Sequence, residues 1–195
     1  VYIDGVKMSD PSSSDNSFYL SNIMTSSIDR VEILRGSNSS IYGSGAIGGV
    51  INIFTKKGIK KEKSINLSTG SNGTQNLDFF IEDFYNNHSY YLGVNKFDTN
   101  GISAMNDEKS TNDDDSYKNE GLIGNYSYLF SENFKVEGSI RYSDSFLNYD
   151  EVTSGRTDAN NSTDDDELSY NIKFITKKNN LNNTFSYNYT GIDRA

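Results

Sequence analysis

The residues best suited to chemistry in this sequence are carboxylates gathered in two runs. The first, over residues 106–115 (NDEKSTNDDD), carries Asp107, Glu108, Asp113, Asp114 and Asp115; the second is Asp164, Asp165, Asp166 and Glu167. Oxygen ligands at this density suit a hard cation such as calcium. The spacing is not that of an EF-hand, because the Asp-x-Asp-x-Asp-Gly pattern and its closing Glu are missing. A solvated acidic face is the competing reading of the same residues. Other chemistries are closed off by composition. There is one histidine, His88, and no cysteine, which removes a catalytic triad, a histidine or thiolate metal cluster, a thiol nucleophile and a disulfide framework together. The carboxylate pairs fall in loops and not in a recognisable glycosidase pocket. No enzyme is expected.

A glycine motif offers a second lead and fails on context. Gly43-Ser-Gly45-Ala-Ile-Gly48 matches G-x-G-x-x-G, but a dinucleotide site needs a helix after the glycines so that the pyrophosphate meets the helix N-terminus. Here Val50, Ile51, Ile53 and Phe54 follow, and β-branched and aromatic residues predict a strand. With Val31 to Leu34 as an earlier β-rich run, residues 28–57 read as strand, glycine turn region, strand.

From residue 64 onward the chain changes character. Phe134, Val136, Gly138, Ile140 and Tyr142 share one face of an extended segment, and Lys135, Glu137, Ser139 and Arg141 share the other. Only a strand segregates residues in this way. The alternation recurs in residues 122–128, 168–174 and 181–189, and more weakly around 65–67, 77–81 and 90–94, giving about seven strands. Short connections at residues 86–88, 131–133 and 177–180 take turns with long polar ones at 100–116 and 148–166. That asymmetry is expected when periplasmic turns are tight and extracellular loops long. No apolar run is long enough for a membrane helix, so a membrane-spanning reading requires a β-barrel. Outward Tyr126, Tyr128, Tyr142, Tyr170, Tyr187 and Tyr189 would then form interfacial girdles. In such a barrel the two acidic runs would stand near each other at the outer rim, where a bridging cation would relieve their repulsion. The net charge of −9 argues against nucleic acid as a partner.

The glycine region carries a family resemblance. Val31, Glu32, Arg35, Gly36, Tyr42, Gly43, Ala46, Gly48, Gly49, Val50, Ile51, Asn52, Ile53 and Thr55 fall as they do in the plug of TonB-dependent outer-membrane receptors, with Ser37 where that family usually has proline. The resemblance implies an all-β membrane barrel with a plug, residues 1–57 being the C-terminal part of the plug and 58–195 the first strands of the barrel. It implies a Gram-negative outer membrane, contact with its lipid, and energy from the TonB–ExbB–ExbD complex acting through a segment upstream of Val1. Residues 100–149 look most like the branch of the family that takes up cobalamin. In that branch an Asp-x-Asp pair binds calcium in the outer loops, which implies Asp113 and Asp115, with Asp107, as ligands here; Ser103 stands where a further acidic ligand is expected. Glu32 and Arg35 resemble the charged residues that hold the plug to the barrel wall, their barrel partners being expected beyond Ala195. The polar loop after Met8 is expected to meet a small-molecule substrate through Ser9, Asp10 and Asn16, joined by Asn38 and Ser39. Its hydroxyls and amides suit a corrinoid. A siderophore receptor of the same architecture and a secreted calcium-binding adhesion module are the rival readings.

Overall fold

The computed structural model describes residues 1–9, 18, 20–103, 114–150 and 161–195, which form two sheets. The smaller sheet contains β1 (Tyr2–Ile3), β2 (Val6–Lys7), β3 (Ile28–Arg35) and β4 (Gly49–Thr55), in the order β2-β1-β4-β3. An Asp4-Gly5 turn closes the β1–β2 hairpin, both residues having positive φ (51° and 83°), as a tight two-residue hairpin demands. β1 lies parallel to β4, with Ile3 opposite Ile53, and β3 lies antiparallel along the other edge of β4. Between β3 and β4 the glycine segment folds into a short helix, α1 (Ser39–Tyr42), and a 3-10 turn, Ser44–Ala46. Gly49 permits the return: a Cβ there would stand 2.5 Å from the Leu34 carbonyl oxygen. Ile3, Met8 and Ile53 form a small core against which Val1, Val6, Phe18 and Ile51 pack.

The larger sheet has seven antiparallel strands in chain order: β5 (Glu62–Thr69), β6 (Gln75–Tyr85), β7 (His88–Thr99), β8 (Tyr117–Ser131), β9 (Phe134–Tyr149), β10 (Asn161–Lys178) and β11 (Leu181–Arg194). The short connections fall where expected, with Asn86 and Asn179 at positive φ. Register places Leu92, Gly124, Ile140, Tyr170 and Tyr189 in one transverse row, and Tyr90, Tyr126, Gly138, Ile172 and Tyr187 in the next. These rows lie on the side facing away from the small sheet, and most of their large side chains are exposed. An exposed apolar face of this extent is what a lipid-facing barrel wall needs. On β9 it runs from Phe134 to Tyr142, about 26 Å along the strand, or about 20 Å of height at a tilt of about 40°. Above it comes a charged row of Lys96, Glu120, Asp144, Asp166 and Asp193, which ends the apolar band.

One expectation is corrected here. Asp164, Asp165, Asp166 and Glu167 are not a loop cluster. They lie in β10, opposite Phe146, Ser145, Asp144 and Ser143 of β9. The pleat sends Asp164 and Asp166 outward and Asp165 and Glu167 inward, where both are buried, Asp165 against Arg194 and Glu167 against Arg141. Four carboxylates split between two faces do not converge on one ion. The described helices include none long and apolar enough to cross a membrane.

Candidate functional site

The small sheet rests on the inner face of the large one, and two kinds of contact hold it there. One is apolar. Met24, in the stretch after the first polar loop, packs with Phe80 of β6, Tyr91 of β7 and Ile123 of β8, all buried. The Lys56 ammonium lies 3.6 Å from the centroid of the Phe80 ring. The other kind is polar. Asp4 accepts hydrogen bonds from the Thr55 amide (3.1 Å) and hydroxyl (2.5 Å) and pairs with Lys57 at 2.7 Å, while its carbonyl oxygen accepts one from Lys173 of β10. Asn125 of β8 donates to the Thr55 hydroxyl at 2.9 Å and the Lys56 carbonyl at 2.7 Å. Arg141 of β9, paired with Glu167, also reaches the Met8 sulfur at 3.9 Å, with the Phe18 ring 5.8 Å away.

Toward the long-loop end of the wall, two cavities open on either side of Tyr117. The Tyr117 hydroxyl lies 3.1 Å from the Ser21 carbonyl oxygen and 3.2 Å from Asn22 Oδ1, so it ties the stretch after the polar loop to the wall. One cavity, about 360 Å³, is lined by Met24, Thr25, Ser68, Asn76, Asp78, Asn95, Phe97 and Asn119 among others. Its carboxylate, Asp78, is already engaged by Ser26 (3.1 Å) and Asn76 (2.6 Å). Asn95 Oδ1 is buried without a hydrogen-bond partner among the described residues. The other cavity, about 400 Å³, is lined by Ser21, Asn22, Ser145, Leu147, Tyr149, Thr163, Asp165 and Arg194. Uncharged amides and hydroxyls beside aromatic edges can hold a large polar molecule without requiring it to be charged.

The expected site residues are dispersed. Ser9 follows β2, whereas Asp10, Asn16, Asp107 and Asp113 lie outside the described residues. Asn38 donates to the Gly36 carbonyl at 2.9 Å, and the Ser39 hydroxyl lies 3.4 Å from that of Ser37, so both are engaged within the glycine segment and neither lines the two cavities. Glu32 is exposed on β3 and accepts from Arg30 at 2.8 Å; that bond, with Asp29 nearby, raises the pKa of the Arg30 guanidinium. Arg35, exposed, ends β3 opposite Gly49. Contact with the described wall is made by residues that include Asp4, Met8, Met24, Thr55 and Lys56. Asp115 borders the first long loop, its carbonyl oxygen so close to Gly101 that a Cβ there would stand 2.0 Å away. Among the described residues no group of three or more His, Asp or Glu side chains converges on a metal position.

Residues 1–50 match the TonB-dependent receptor plug domain family, and they hold most of the small sheet seated against the wall. Over residues 1–50 the chain carries a TonB-dependent receptor plug domain. A vitamin B12 transporter of Vibrio vulnificus is 29% identical over 150 residues, covering 76% of this chain and 24% of the transporter. A second, from Photobacterium profundum, is 28% identical over 153 residues, covering 77% and 25%. The chain thus spans about a quarter of the length of the curated relatives it matches. The siderophore receptor PirA from Acinetobacter baumannii superposes with a TM-score of 0.72 at 19% identity, over 97% of this chain and 31% of that one. That likeness shows the fold: a TonB-dependent receptor plug and the wall strands beside it. The plug-domain match and the vitamin B12 transporter relatives indicate the outer membrane of a Gram-negative bacterium.

Proposed function

We propose that the intact receptor captures cobalamin or a related corrinoid at its outer face and admits it by TonB-coupled displacement of the plug. The observation that carries this reading is the lining of the two cavities beside Tyr117, which includes the uncharged amides of Asn22, Asn76, Asn95 and Asn119, with Asn95 Oδ1 buried and without a partner among the described residues. A corrinoid is rimmed by amides, and amide recognises amide through paired hydrogen bonds, each side supplying both a donor and an acceptor. The kinship with vitamin B12 transporters supports the same choice. The protein performs no chemical step; binding energy is spent on capture, and the TonB–ExbB–ExbD complex supplies the work of opening.

The siderophore reading draws on the solved receptors that share the fold. An anionic ferric chelate calls for unpaired cationic groups. The cationic side chain lining these two cavities, Arg194, is committed to Asp165. The test is equilibrium binding to outer-membrane vesicles containing the full-length receptor. Saturable binding of cyanocobalamin that is indifferent to excess ferric siderophore is expected. Saturable siderophore binding with none of cyanocobalamin reverses the assignment.

A further inference from the structure

The plug is held to this stretch of wall by an apolar pin on one side and a wettable seam on the other. We infer that the plug opens along the seam at β9 and β10 while remaining hinged on the pin at β6 to β8, so that the polar inner face of β9 and β10 becomes the path by which substrate leaves the lumen. This rests on the plug-displacement reading above.

The two sides differ in what separation exposes. Withdrawing Met24 from Phe80, Tyr91 and Ile123 would put four buried apolar side chains into water and open the packing around them. The linker reinforces that side. Asn125 holds Thr55 and Lys56, and Gly58 lies so close to the Tyr90 backbone that a Cβ on it would stand 2.3 Å from the Tyr90 carbonyl oxygen.

The seam has the opposite character. Behind the β1–β2 hairpin the wall presents Ser139, Arg141, Ser169 and Asn171. The strong interactions there do not cross the boundary. Arg141 and Glu167 are both wall residues, so lifting the hairpin leaves their ion pair intact. Asp4 keeps its Thr55 and Lys57 partners within the plug and its linker. What crosses is the Lys173 bond to the Asp4 carbonyl, the Arg141 contacts with the Met8 sulfur and, at 5.8 Å, with the Phe18 ring, and a 3.5 Å approach of the Ser143 hydroxyl to the Asn22 carbonyl. Water replaces each of these without stranding a charge. The wall uncovered is already a row of hydroxyls, amides and a paired guanidinium, a surface along which a polar molecule can pass from one hydrogen bond to the next.

The test follows the order of release in full-length receptor carrying pairs of nitroxide labels. One pair, at Lys7 and Ser169, spans the seam; the other, at Thr25 and Ser68, spans the pin. In urea too dilute to unfold the barrel, the seam distances lengthen and broaden with a midpoint lower by about 1 M or more than the pin distances. Lys173→Met lowers the seam midpoint further and leaves the pin midpoint in place. Simultaneous release, or release of the pin first, overturns the inference. Cyanocobalamin uptake by cells carrying the unlabelled receptor is measured alongside. Its absence defeats the proposed substrate, while the order of release still decides the seam.

Discussion

Truncating the pin gives a number to the apolar half of this interface. Met24→Ala removes the three heavy atoms beyond Cβ of a side chain that is 9% exposed. At about 0.8 kcal/mol per methylene-sized group the transfer loss is about 2.4 kcal/mol, and residual cavity moves buried Met→Ala changes into a range of about 2–5 kcal/mol. The lower half of that range applies here. The Tyr91 hydroxyl next to the vacated space has no hydrogen-bond partner among the described residues, and water admitted by the truncation would satisfy it. A loss of about 2–3 kcal/mol, with a urea dependence of about 1–1.5 kcal/mol/M for a domain of this size, lowers the midpoint of plug release by about 2 M. The assay is the Thr25–Ser68 label pair in full-length receptor, with barrel integrity followed separately by heat-modifiable gel mobility. Met24→Leu conserves volume and keeps most of the midpoint. A shift below about 0.5 M for the alanine variant would show that the buried cluster does not anchor the plug.

Asn125→Ala leaves the Lys56 carbonyl without its donor and weakens plug retention by about 1–3 kcal/mol, read as a lower urea midpoint in the same assay. Ile172→Lys puts an ammonium in the middle of the lipid-facing band and costs about 2–4 kcal/mol of barrel stability, measured by refolding into bilayers, whereas the lumen-facing Ser169→Lys costs far less. Single cysteines at Ile102 or Asp114 take up an impermeant thiol reagent on whole cells, and cysteines at Asn87, Glu132 or Asn180 do not; labelling of the short turns inverts the topology. Calcium tightens cyanocobalamin binding by about 5- to 150-fold if Asp107, Asp113 and Asp115 hold an ion coupled to the substrate. Isothermal titration with and without a chelator reads this directly, and an Asp113→Asn/Asp115→Asn receptor that keeps the whole effect removes these residues from the site.

The lipid-facing band was legible because the bilayer imposes a rule on every second residue, and the alternation from Phe134 to Tyr142 obeys it. Above the membrane the rule lapses. Both faces of β10 turn polar there, so Asp164 to Glu167 read as loop although the ladder continues through them. The Arg141–Glu167 pair was hidden for a different reason: its partners are 26 residues apart, and only strand register brings them together. The pin did leave a trace. Phe79-Phe80-Ile81, Tyr90-Tyr91-Leu92 and Leu122-Ile123 are places where the alternation fails because both faces are apolar, and in each the inward residue meets Met24. The plug motif was recognisable from its glycines. The contacts with the described wall come from Asp4, Thr55 and Lys56, and these were hidden because their partners lie on strands far along the chain.

The linker between the two sheets has a kinetic consequence. Residues 56–61 join the end of β4 to the start of β5, and Gly58 is pressed against the β7 backbone. A plug freed from every other contact would still be leashed to the rim, at a root-mean-square distance of about 13 Å for six flexible residues. At that range its effective concentration in the lumen is of millimolar order or higher. Reclosure is therefore a first-order event whose rate is the same in a crowded membrane and a sparse one. A plug supplied as a separate chain would have to reach millimolar levels in the periplasm to reseal the same barrel as fast.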